Sequence, residues 1–356
     1  MTNNVSRLQS AMRERNIPAI LVSDITNVQW LTGFTGSSGY VLLTQTDGAF
    51  VTDSRYSIQA QVEVSDLETR WYTSATSLED FLTEIATGLK IEALRFEDSI
   101  SYAVASRWQR EMSKFQWEPA DDVLKSLRMI KTPDEVARIK RACELADECL
   151  KHVSRLLQPG VSEFDIDLDI EFFFRRNGAV ASFSPIVASG PNSAKPHAHA
   201  TDRKLESGDF VTLDLGAKLD GYCSDITRTF VIGTASDRHR EIYDQVLLAL
   251  ETSTAAIKPG LTAKSIDGVA REVLDRKGLA QYFGHGLGHG LGRAVHDPGS
   301  LSMRSADTIA VGQVWTVEPG VYIDGFGGVR IEDDVLVTEN GVEVLTAFPK
   351  GLTVMS

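Results

Sequence analysis

A chain of 356 residues with 42% apolar residues can bury one large core or two medium ones, and its 24% charged residues are ordinary for a globular protein. The formal net charge of −13 argues against a nucleic-acid-binding protein, which would carry a basic face. The low and odd number of cysteines, three, predicts free thiols in a reducing compartment. The sequence has no apolar signal core and no apolar run long enough to span a bilayer, so we expect a cytoplasmic protein with no membrane partner.

Helix and strand patterns alternate along the first third of the chain. A polar–apolar helix is predicted near Val5–Arg15, and the strand-like run AILVS follows it. The runs GYVLLT and AFVTD, with a turn predicted at Asp47-Gly48, indicate a β-hairpin. A helix in SLEDFLTEIATGL and a strand in ALRFED complete a pattern typical of an α/β domain, which we assign to residues 1–124.

A second domain, residues 125–356, is predicted to begin close to a long helix. Thr132 can cap this helix, Pro133 suits its first position and Glu135 completes a capping box. Its apolar face comprises Val136, Ile139, Cys143, Ala146, Leu150, Val153 and Leu157. These residues step by three and four, and the helix is expected to end before Pro159-Gly160.

The second domain contains an internal repeat. The segments Pro159–Gly178 and Pro259–Gly278 share Pro-Gly, Ile-Asp, Arg and a final Gly at positions 100 residues apart. Each segment is typical of a turn, an N-cap, a helix and a C-terminal glycine. Two copies are too few for a solenoid, so they favour a domain with pseudo-two-fold symmetry and a site between its halves.

Two aspartates lie on a hairpin that follows the first repeat helix. In DFVTLDLGAKLDGYCSDITRTFVI, alternation predicts two strands around a two-residue turn at Asp220-Gly221. Residue numbers that pair across such a hairpin sum to an odd number, so Asp214 and Asp225 share a face, opposite each other or one step diagonal. The pattern alone is equally consistent with two solvated acids on an outer sheet face.

A similar hairpin after the second repeat helix carries two glutamates. In VWTVEPGVYIDGFGGVRIEDDVLVTE, a three-residue loop centred on Gly325 would place Glu318 and Glu332 on one face. We interpret Asp333 and Asp334, which follow directly, as strand-end or surface acids. The two hairpins together therefore offer four carboxylates to a shared site.

Four carboxylates on two related hairpins repel one another unless a cation lies between them. Burying them without a counter-charge would cost several kcal/mol each. A metal centre is the economical explanation, and oxygen-rich ligation with one imidazole suits Mn, Co or Zn, as a pair of ions that share bridging carboxylates.

Glycine alternates with other residues in the run YFGHGLGHGLGRAVHDP. The intervening Gly-Leu-Gly excludes the His-Glu-x-x-His helix of zinc proteases, because so much glycine does not hold a helix. A phosphate-binding loop also fits poorly, since no Lys-Ser/Thr follows the glycines. We expect an extended segment with His285, His289 and the leucines on one face and the glycines on the other, with His289 as the imidazole ligand.

Together these stretches resemble the pita-bread metallopeptidases, which include Xaa-Pro aminopeptidase, prolidase and methionine aminopeptidase. The resemblance covers residues 125–356 and is specific because LDLG, SDITRT, HGLGHGLG, VEPG and VRIED occur in order. It implies that Asp214 chelates one metal ion, that Asp225 and Glu332 bridge both ions, and that His289 and Glu318 bind the other.

The N-terminal part of the chain also resembles this family. WLTGFTGSSG and VTDSRYSIQA are similar to the N-terminal domain of Xaa-Pro peptidases and creatinase, which methionine aminopeptidases lack. The implied fold is a creatinase-like α/β domain followed by a pseudo-two-fold pita-bread domain with an antiparallel sheet. Creatinase itself works without these metal ligands, and all five are present here.

The resemblance assigns further residues to the site. His197, in the polar loop SGPNSAKPHAHATDRKL, matches a histidine beside the substrate, although the loop alone is typical of a protein surface. His285 matches a histidine behind the ligand, and His296 matches one that contacts substrate and stabilises the tetrahedral intermediate. Arg330 resembles a substrate-side or orienting arginine, and Glu318 is the carboxylate expected to shuttle the proton.

The sequence departs from the family pattern after the glycine run, where RAVHD stands in place of Leu-Glu-x-His-Glu. Arg293 and Asp297 are therefore expected to change the charge of the pocket. A site for proline must also accommodate a ring, and Phe183 and Tyr222 are the candidates for that wall.

The resemblance implies a dimetal exopeptidase, with Mn the favoured metal and Co or Zn as alternatives, that assembles as a homodimer or larger. GFTGSSG and DSRY favour an Xaa-Pro aminopeptidase acting on peptides with proline in the second position, with an Xaa-Pro dipeptidase (prolidase) as the alternative. A catalytically inactive binding module predicts broken ligands, and a dimetal phosphoesterase predicts more histidine ligands and basic phosphate clamps. Neither prediction matches the sequence.

Overall fold

The computed structural model describes residues 3–120 and 122–356. The chain forms two compact units, one up to Leu127 and the other from Arg128 to Ser356. No helix in this described part of the chain is long and apolar enough to cross a membrane.

The first unit is built around a six-stranded mixed sheet with the strand order β4-β3-β2-β1-β5-β6. Its strands are β1 (Ala19–Val22), β2 (Tyr40–Thr44), β3 (Gly48–Asp53), β4 (Glu68–Tyr72), β5 (Ala93–Phe96) and β6 (Gln116–Pro119). Its helices are α1 (Asn4–Glu14), α2 (Ile25–Thr32), α3 (Ser57–Glu63), α4 (Leu78–Gly88) and α5 (Tyr102–Glu111), and α6 (Val123–Met129) follows them in the chain. The predicted alternation of helices and strands is confirmed.

The predicted hairpin of the first unit is present, but its turn lies earlier than expected. Gly48 pairs with Leu43 and is the first residue of β3. The amide of Thr44 donates to the carbonyl of Asp47, so residues 45–46 form the tip. The prediction of a turn at Asp47-Gly48 was wrong because Gly48 is needed inside the strand, where a Cβ would overlap Leu43 and the Leu42 carbonyl.

The second unit contains four long helices and several sheets, whose strand pairs are antiparallel except for one parallel pair at an edge. The helices are α7 (Pro133–Val153), α8 (Glu163–Arg176), α9 (Asp237–Ala256) and α10 (Ala263–Asp275). The strands are β7 (Val180–Ala181), β8 (Ile186–Ser189), β9 (Phe210–Leu215), β10 (Ala217–Leu219), β11 (Tyr222–Cys223), β12 (Ile226–Ile232), β13 (Gly288–Gly290), β14 (Asp297–Leu301), β15 (Val314–Val317), β16 (Gly320–Ile323), β17 (Gly327–Arg330), β18 (Asp333–Thr338), β19 (Gly341–Val344) and β20 (Thr353–Met355). The two largest sheets have the orders β20-β12-β9-β8 and β14-β13-β15-β18-β19.

Helix α7 begins as its sequence predicts. The hydroxyl of Thr132 accepts from the amide of Glu135, whose carboxylate accepts from the amide of Thr132 in return. Pro133 occupies the first helical turn, and the predicted apolar face is buried from Ile139 to Val153. A short 3-10 turn follows Val153, so the α-helix ends four residues earlier than the apolar periodicity implied.

The internal repeat of the sequence is a repeat of structure. Gly160 and Gly260 precede α8 and α10 with φ of 92° and 88°, and Gly178 and Gly278 follow these helices with φ of 75° and 68°. These left-handed conformations explain why glycine recurs at both pairs of positions. Each half has its own apolar cluster, one under α8 with β9 and β12, the other under α9 and α10 with β15 and β18. The predicted fold class, with pseudo-two-fold halves and antiparallel sheets, is confirmed.

Candidate metal centre

The first hairpin places Asp214 and Asp225 on one face. The predicted two-residue turn is present, and Asp220 and Gly221 have φ of 49° and 80°, both in the left-handed region that such hairpin turns use. Strands β9 and β12 pair with Asp214 opposite Thr227. Asp225 lies two residues before Thr227 and therefore points to the same face, one step diagonal to Asp214. Both aspartates are buried, which excludes the alternative of solvated acids on an outer sheet face.

The second hairpin places Glu318 and Glu332 in the same manner. Ile323 pairs with Gly327 around a three-residue loop centred on Gly325, as predicted. Val317 pairs with Asp333 on the adjoining strands, which sets Glu318 opposite Glu332. The register that local turn chemistry predicted is therefore the register of the folded hairpin.

Two threonines hold the two glutamates, one from the other hairpin and one from two residues earlier in the same chain segment. The hydroxyl of Thr227 donates to Glu332 Oε2 at 2.6 Å, and the hydroxyl of Thr316 donates to Glu318 Oε1 at 3.3 Å. The Thr316 hydroxyl also accepts from the amide of His289 at 3.0 Å. Thr227 belongs to the first hairpin and Glu332 to the second, so this bond joins the two halves at the site.

His289 reaches the carboxylates through its Nε2 atom, which lies 3.5 Å from Asp225 Oδ2 and 3.6 Å from Glu318 Oε1. Its Nδ1 atom lies 3.1 Å from the Gly290 carbonyl, which can only accept, so Nδ1 carries the proton. The lone pair of Nε2 is then directed toward the acids. Burial lowers the pKa of His289 to about 4, which keeps the ring neutral and able to act as a ligand.

The donor set fits a divalent cation. Asp225, His289 and Glu332 each present a ligand atom, and these atoms lie within 4.8 Å of one another. Within the described residues, the buried atoms Asp214 Oδ1 and Glu332 Oε1 have no hydrogen-bond partner. Burial, followed by the charge of neighbouring carboxylates, raises the pKa of Asp225 and of Glu332 well above the usual range. A cation would relieve this repulsion, and oxygen donors with one imidazole suit Mn, Co or Zn.

Arg330 lies beside Asp214 and is itself buried. Its Nη2 donates to Asp214 Oδ2 at 2.6 Å, its Nε donates to the Thr227 hydroxyl at 3.1 Å, and its Nη1 donates to the Tyr322 hydroxyl at 2.7 Å. These bonds fix one oxygen of Asp214 and leave the other for a different partner. The contacts give Arg330 the geometry of an orienting residue.

The Tyr322 hydroxyl continues this network to His285. It lies 2.9 Å from His285 Nε2, while His285 Nδ1 lies 2.8 Å from the carbonyl of Gly286. Because that carbonyl can only accept, Nδ1 carries the proton and Nε2 accepts from the tyrosine. Burial, with a smaller contribution from Arg330, lowers the pKa of His285 to about 4. His285 is therefore a neutral hydrogen-bonding group whose Nδ1 atom lies 3.9 Å from Glu318 Oε2.

A cavity of about 470 Å³ opens onto the carboxylates. His197, His199 and His296 line it, and the ring centroids of His296 and His289 are 4.4 Å apart. The loop that carries His197 and His199, which alone was typical of a protein surface, is thus part of the pocket wall. Phe183 also lines the cavity, so one of the two candidates for an apolar wall lies in the pocket.

The glycine run is extended, but its faces differ from the prediction. Only Gly288–Gly290 is a strand, and the pairing register shifts between His289 and Gly290. The chain also bends at His285 and Leu287, before the strand, so the regular alternation is lost on both sides of it. Leu287 and Leu291 are buried in apolar clusters, while Gly286 and Gly288 line the cavity with the histidines. The glycines do permit close backbone approach, because a Cβ at Gly288 would overlap the carbonyl of Thr316.

Three residues expected at the pocket lie elsewhere. Tyr222 is buried with its hydroxyl 3.1 Å from Glu135 Oε1, and the guanidinium of Arg293 lies 5.2 Å from the centroid of the Tyr222 ring. Asp297 forms ion pairs with Arg128 and Lys131. None of the three lines the cavity, so Tyr222 is not part of its wall, and the expectation that Arg293 and Asp297 change its charge stays a prediction.

Asp333 and Asp334 are not surface acids. Strand β18 lies between β15 and β19, so both residues are buried. Asp333 forms ion pairs with Arg228 at 2.8 Å and Lys350 at 2.7 Å. Asp334 accepts from the amide of Asp225 at 2.9 Å. Both residues begin β18, as the strand-end interpretation predicted, but the surface interpretation was wrong because the sequence does not show which strands cover β18.

Thr227, Thr316, Tyr322 and Asp334 were not predicted to belong to the site. The sequence pattern could have identified two of them. Thr227 lies two residues after Asp225 on the same strand, and Tyr322, like Glu318 and Glu332, has an even residue number in the second hairpin. Residues of one parity on a hairpin point to one face, so both could have been assigned to the site.

Comparisons with known proteins show the family of the chain. A family model described as Metallopeptidase family M24 matches residues 137–339, and one described as Creatinase/Prolidase N-terminal domain matches residues 4–130. An Xaa-Pro dipeptidase from Pyrococcus furiosus is 36% identical over 99% of this chain and 100% of that protein.

Solved structures of Xaa-Pro peptidases are also similar to this chain. The structure of an Xaa-Pro dipeptidase from Bacillus anthracis is 40% identical with a TM-score of 0.94, covering 99% of both chains. That of an X-Pro aminopeptidase from Thermotoga maritima is 35% identical with a TM-score of 0.92, covering 99% of this chain and 100% of that one.

Proposed function

The chain belongs to metallopeptidase family M24, with a creatinase/prolidase N-terminal domain, and from this premise we propose that the protein is a metal-dependent hydrolase of the peptide bond between an amino acid and a following proline. One observation carries the proposal: three buried carboxylates, the half-buried Glu318 and the neutral imidazole of His289 converge on a single cavity. Relatives over essentially the whole chain bear Xaa-Pro peptidase names, which supports the specificity.

The proposed metal ligands are Asp214, Asp225, His289, Glu318 and Glu332. This set suits two divalent ions, and we propose Mn, with Co or Zn as alternatives, because most donors are carboxylate oxygens. When bound, such ions activate water at neutral pH and polarise a carbonyl group. Arg330 holds Asp214, and Thr227 holds Glu332, so these ligands are oriented before metal arrives.

Residues of this chain perform the remaining steps. Glu318, which lies 3.9 Å from His285 and accepts from Thr316, is placed to carry a proton between water and the leaving amine. His296 and His197 line the same cavity and supply hydrogen bonds to the oxyanion that forms at the scissile carbonyl. Phe183 and Ile186 supply apolar surface for the proline ring.

On substrate length, we propose that Xaa-Pro dipeptides are preferred. Two of the similar proteins described above are Xaa-Pro dipeptidases, and one of these is the more similar of the two solved structures. The second candidate is an Xaa-Pro aminopeptidase acting on longer peptides, which the sequence motifs favoured and the Thermotoga maritima structure supports.

The test is hydrolysis of Ala-Pro, Ala-Pro-Ala and Ala-Ala by protein stripped of metal and reloaded with Mn, Co or Zn. We expect cleavage of Ala-Pro, faster than of Ala-Pro-Ala, with no cleavage of Ala-Ala. Glu332→Gln is expected to abolish turnover, whereas Glu343→Gln, which alters a surface ion pair with Lys140, serves as the matched control. Cleavage of the tripeptide alone would identify an aminopeptidase, and no cleavage with any metal would refute the proposal.

We also propose a homodimer or larger assembly in the cytoplasm. All three cysteines are free and buried, which supports a reducing compartment. Ile58 and Val62 of α3 are 80% and 81% exposed, an apolar surface that a second subunit could cover. Light scattering after size exclusion tests the assembly, and a monomeric mass would contradict it.

A further inference from the structure

The strand ladder of the first hairpin is interrupted at a proposed metal ligand. Strand β9 ends at Leu215 and β12 begins at Ile226, so Asp225 lies just outside the regular pairing. Gly216 lies opposite Asp225 in the hairpin, but its carbonyl accepts from the amide of Ser182, outside the hairpin, at 2.8 Å. A Cβ at Gly216 would overlap the Ser224 carbonyl, which shows how tightly the strands close here. The amide of Asp225 must therefore find another acceptor.

Asp334 supplies that acceptor from the other half of the unit. Its Oδ2 accepts from the amide of Asp225 at 2.9 Å and from the thiol of Cys143 at 3.3 Å. The backbone of Asp334 is fixed in turn. Its carbonyl accepts from the amide of Leu345 at 2.8 Å, and Asp334 pairs with Thr316 in the sheet. Asp334 has no accessible surface, so water does not compete for these bonds.

A reciprocal bond runs the other way. The amide of Glu332 donates to the carbonyl of Thr227 at 3.1 Å. Each half thus provides one acceptor for the backbone of a ligand in the other half. The positions of Asp225 and Glu332 relative to each other depend on this exchange.

We propose that Asp334 is a positioning residue that fixes the backbone of Asp225 and thereby the spacing of the Asp225 and Glu332 carboxylates for metal. This inference rests on the ligand assignment proposed above. Removal of the Asp334 acceptor frees the Asp225 amide to seek another partner, which turns the carboxylate away from Glu332. Outer groups that orient ligands in this way typically change metal affinity by about 10–100-fold.

The experiment measures Mn²⁺ binding to metal-stripped protein by calorimetry, together with the thermal unfolding of each variant. We expect Asp334→Ala to weaken binding at least about 10-fold. Asp334→Asn keeps an acceptor oxygen for the Asp225 amide and is expected to restore most of the affinity. It also keeps the proposal testable if Asp334→Ala does not fold.

Two matched controls separate positioning from general destabilisation. Asp147 likewise accepts from two backbone amides, those of Ala347 and Phe348, but lies outside the cavity wall. Asp147→Ala is expected to lower the unfolding temperature and leave Mn²⁺ affinity unchanged. Cys143→Ala removes only the second donor to Asp334 and is expected to leave affinity unchanged as well.

The outcomes are distinct. Wild-type affinity in Asp334→Ala would overturn the proposal, and so would an equal loss in Asp334→Asn and Asp334→Ala, because the acceptor would then be irrelevant. A wild-type protein that bound no Mn²⁺ would refute the metal centre itself, and this inference with it. Normal wild-type binding with selective loss in Asp334→Ala supports both.

Discussion

Replacing Asp297 by Ala removes a carboxylate that two buried cations share. Asp297 forms an ion pair with Arg128, and its carboxylate lies 3.2 Å from Lys131 Nζ. The side chains of Asp297 and Lys131 are each 2% exposed, and that of Arg128 is 9% exposed. Asp297 also begins β14, directly after His296. The perturbation therefore removes buried charge beside the cavity without altering a residue that lines it.

The expected cost follows from the burial of the cations. Removing one partner of a buried ion pair destabilises a protein by about 3–5 kcal/mol, because the remaining charge has lost its compensation. Burial already lowers the pKa of Lys131, so deprotonation of this lysine limits the loss. We expect Asp297→Ala to lower the free energy of unfolding of the second unit by about 3–5 kcal/mol.

Urea unfolding followed by pulsed hydrogen exchange and mass spectrometry measures this unit separately from the first. Glu343→Ala is the control, since its partner Lys140 and Glu343 itself are 38% and 48% exposed and such a pair contributes only about 0–1 kcal/mol. A loss for Asp297→Ala no larger than that of the control would refute the reasoning. It would show that water, chain relaxation or the remaining neighbours of the two cations, among them Glu135, compensate their charge without Asp297.

Asp225→Ala is expected to abolish hydrolysis at saturating metal because it removes a proposed bridging ligand, and turnover that persisted with chelator present would contradict the assignment. His296→Ala is expected to lower kcat about 10²–10³-fold with little change in KM, as loss of an oxyanion donor does, and an unchanged kcat in steady-state assays would rule out this role. His239 accepts from the amide of Ser236 through Nδ1 and burial lowers its pKa below 6.5, so its contribution to stability is complete above pH 6.5 and is lost as the pH falls below it. His239→Gln keeps a capping acceptor that does not titrate and is expected to flatten the dependence of the unfolding free energy on pH below 6.5, and an unchanged slope would contradict this origin.

Much of the candidate site follows from local rules. The turn at Asp220-Gly221 sets the register of the first hairpin, and the register decides that Asp214 and Asp225 share a face. The loop around Gly325 does the same for Glu318 and Glu332. Turn chemistry and period-two alternation act over a few residues, so a single sequence contains them in full.

Other features depended on residues far away in the chain. Asp297 was expected at the pocket and is instead buried against Arg128 and Lys131, more than 160 residues earlier. The leucines of the glycine run were expected beside the histidines and lie in apolar clusters, because bends at His285 and Leu287 and a register shift after His289 interrupt the alternation. No local sequence pattern indicates the distant residues that Asp297 and these leucines contact.

The sequence by itself determined the two related hairpins, the faces of their four carboxylates and the extended segment that carries His289. Turn geometry and side-chain alternation are local, which is why these features could be read without a fold. Only the tertiary structure decided that Asp333 pairs with Arg228 and that Asp334 holds the amide of Asp225. Four adjacent positions, Ile331 to Asp334, look alike in burial, and their roles differ because each meets a different partner from a distant strand.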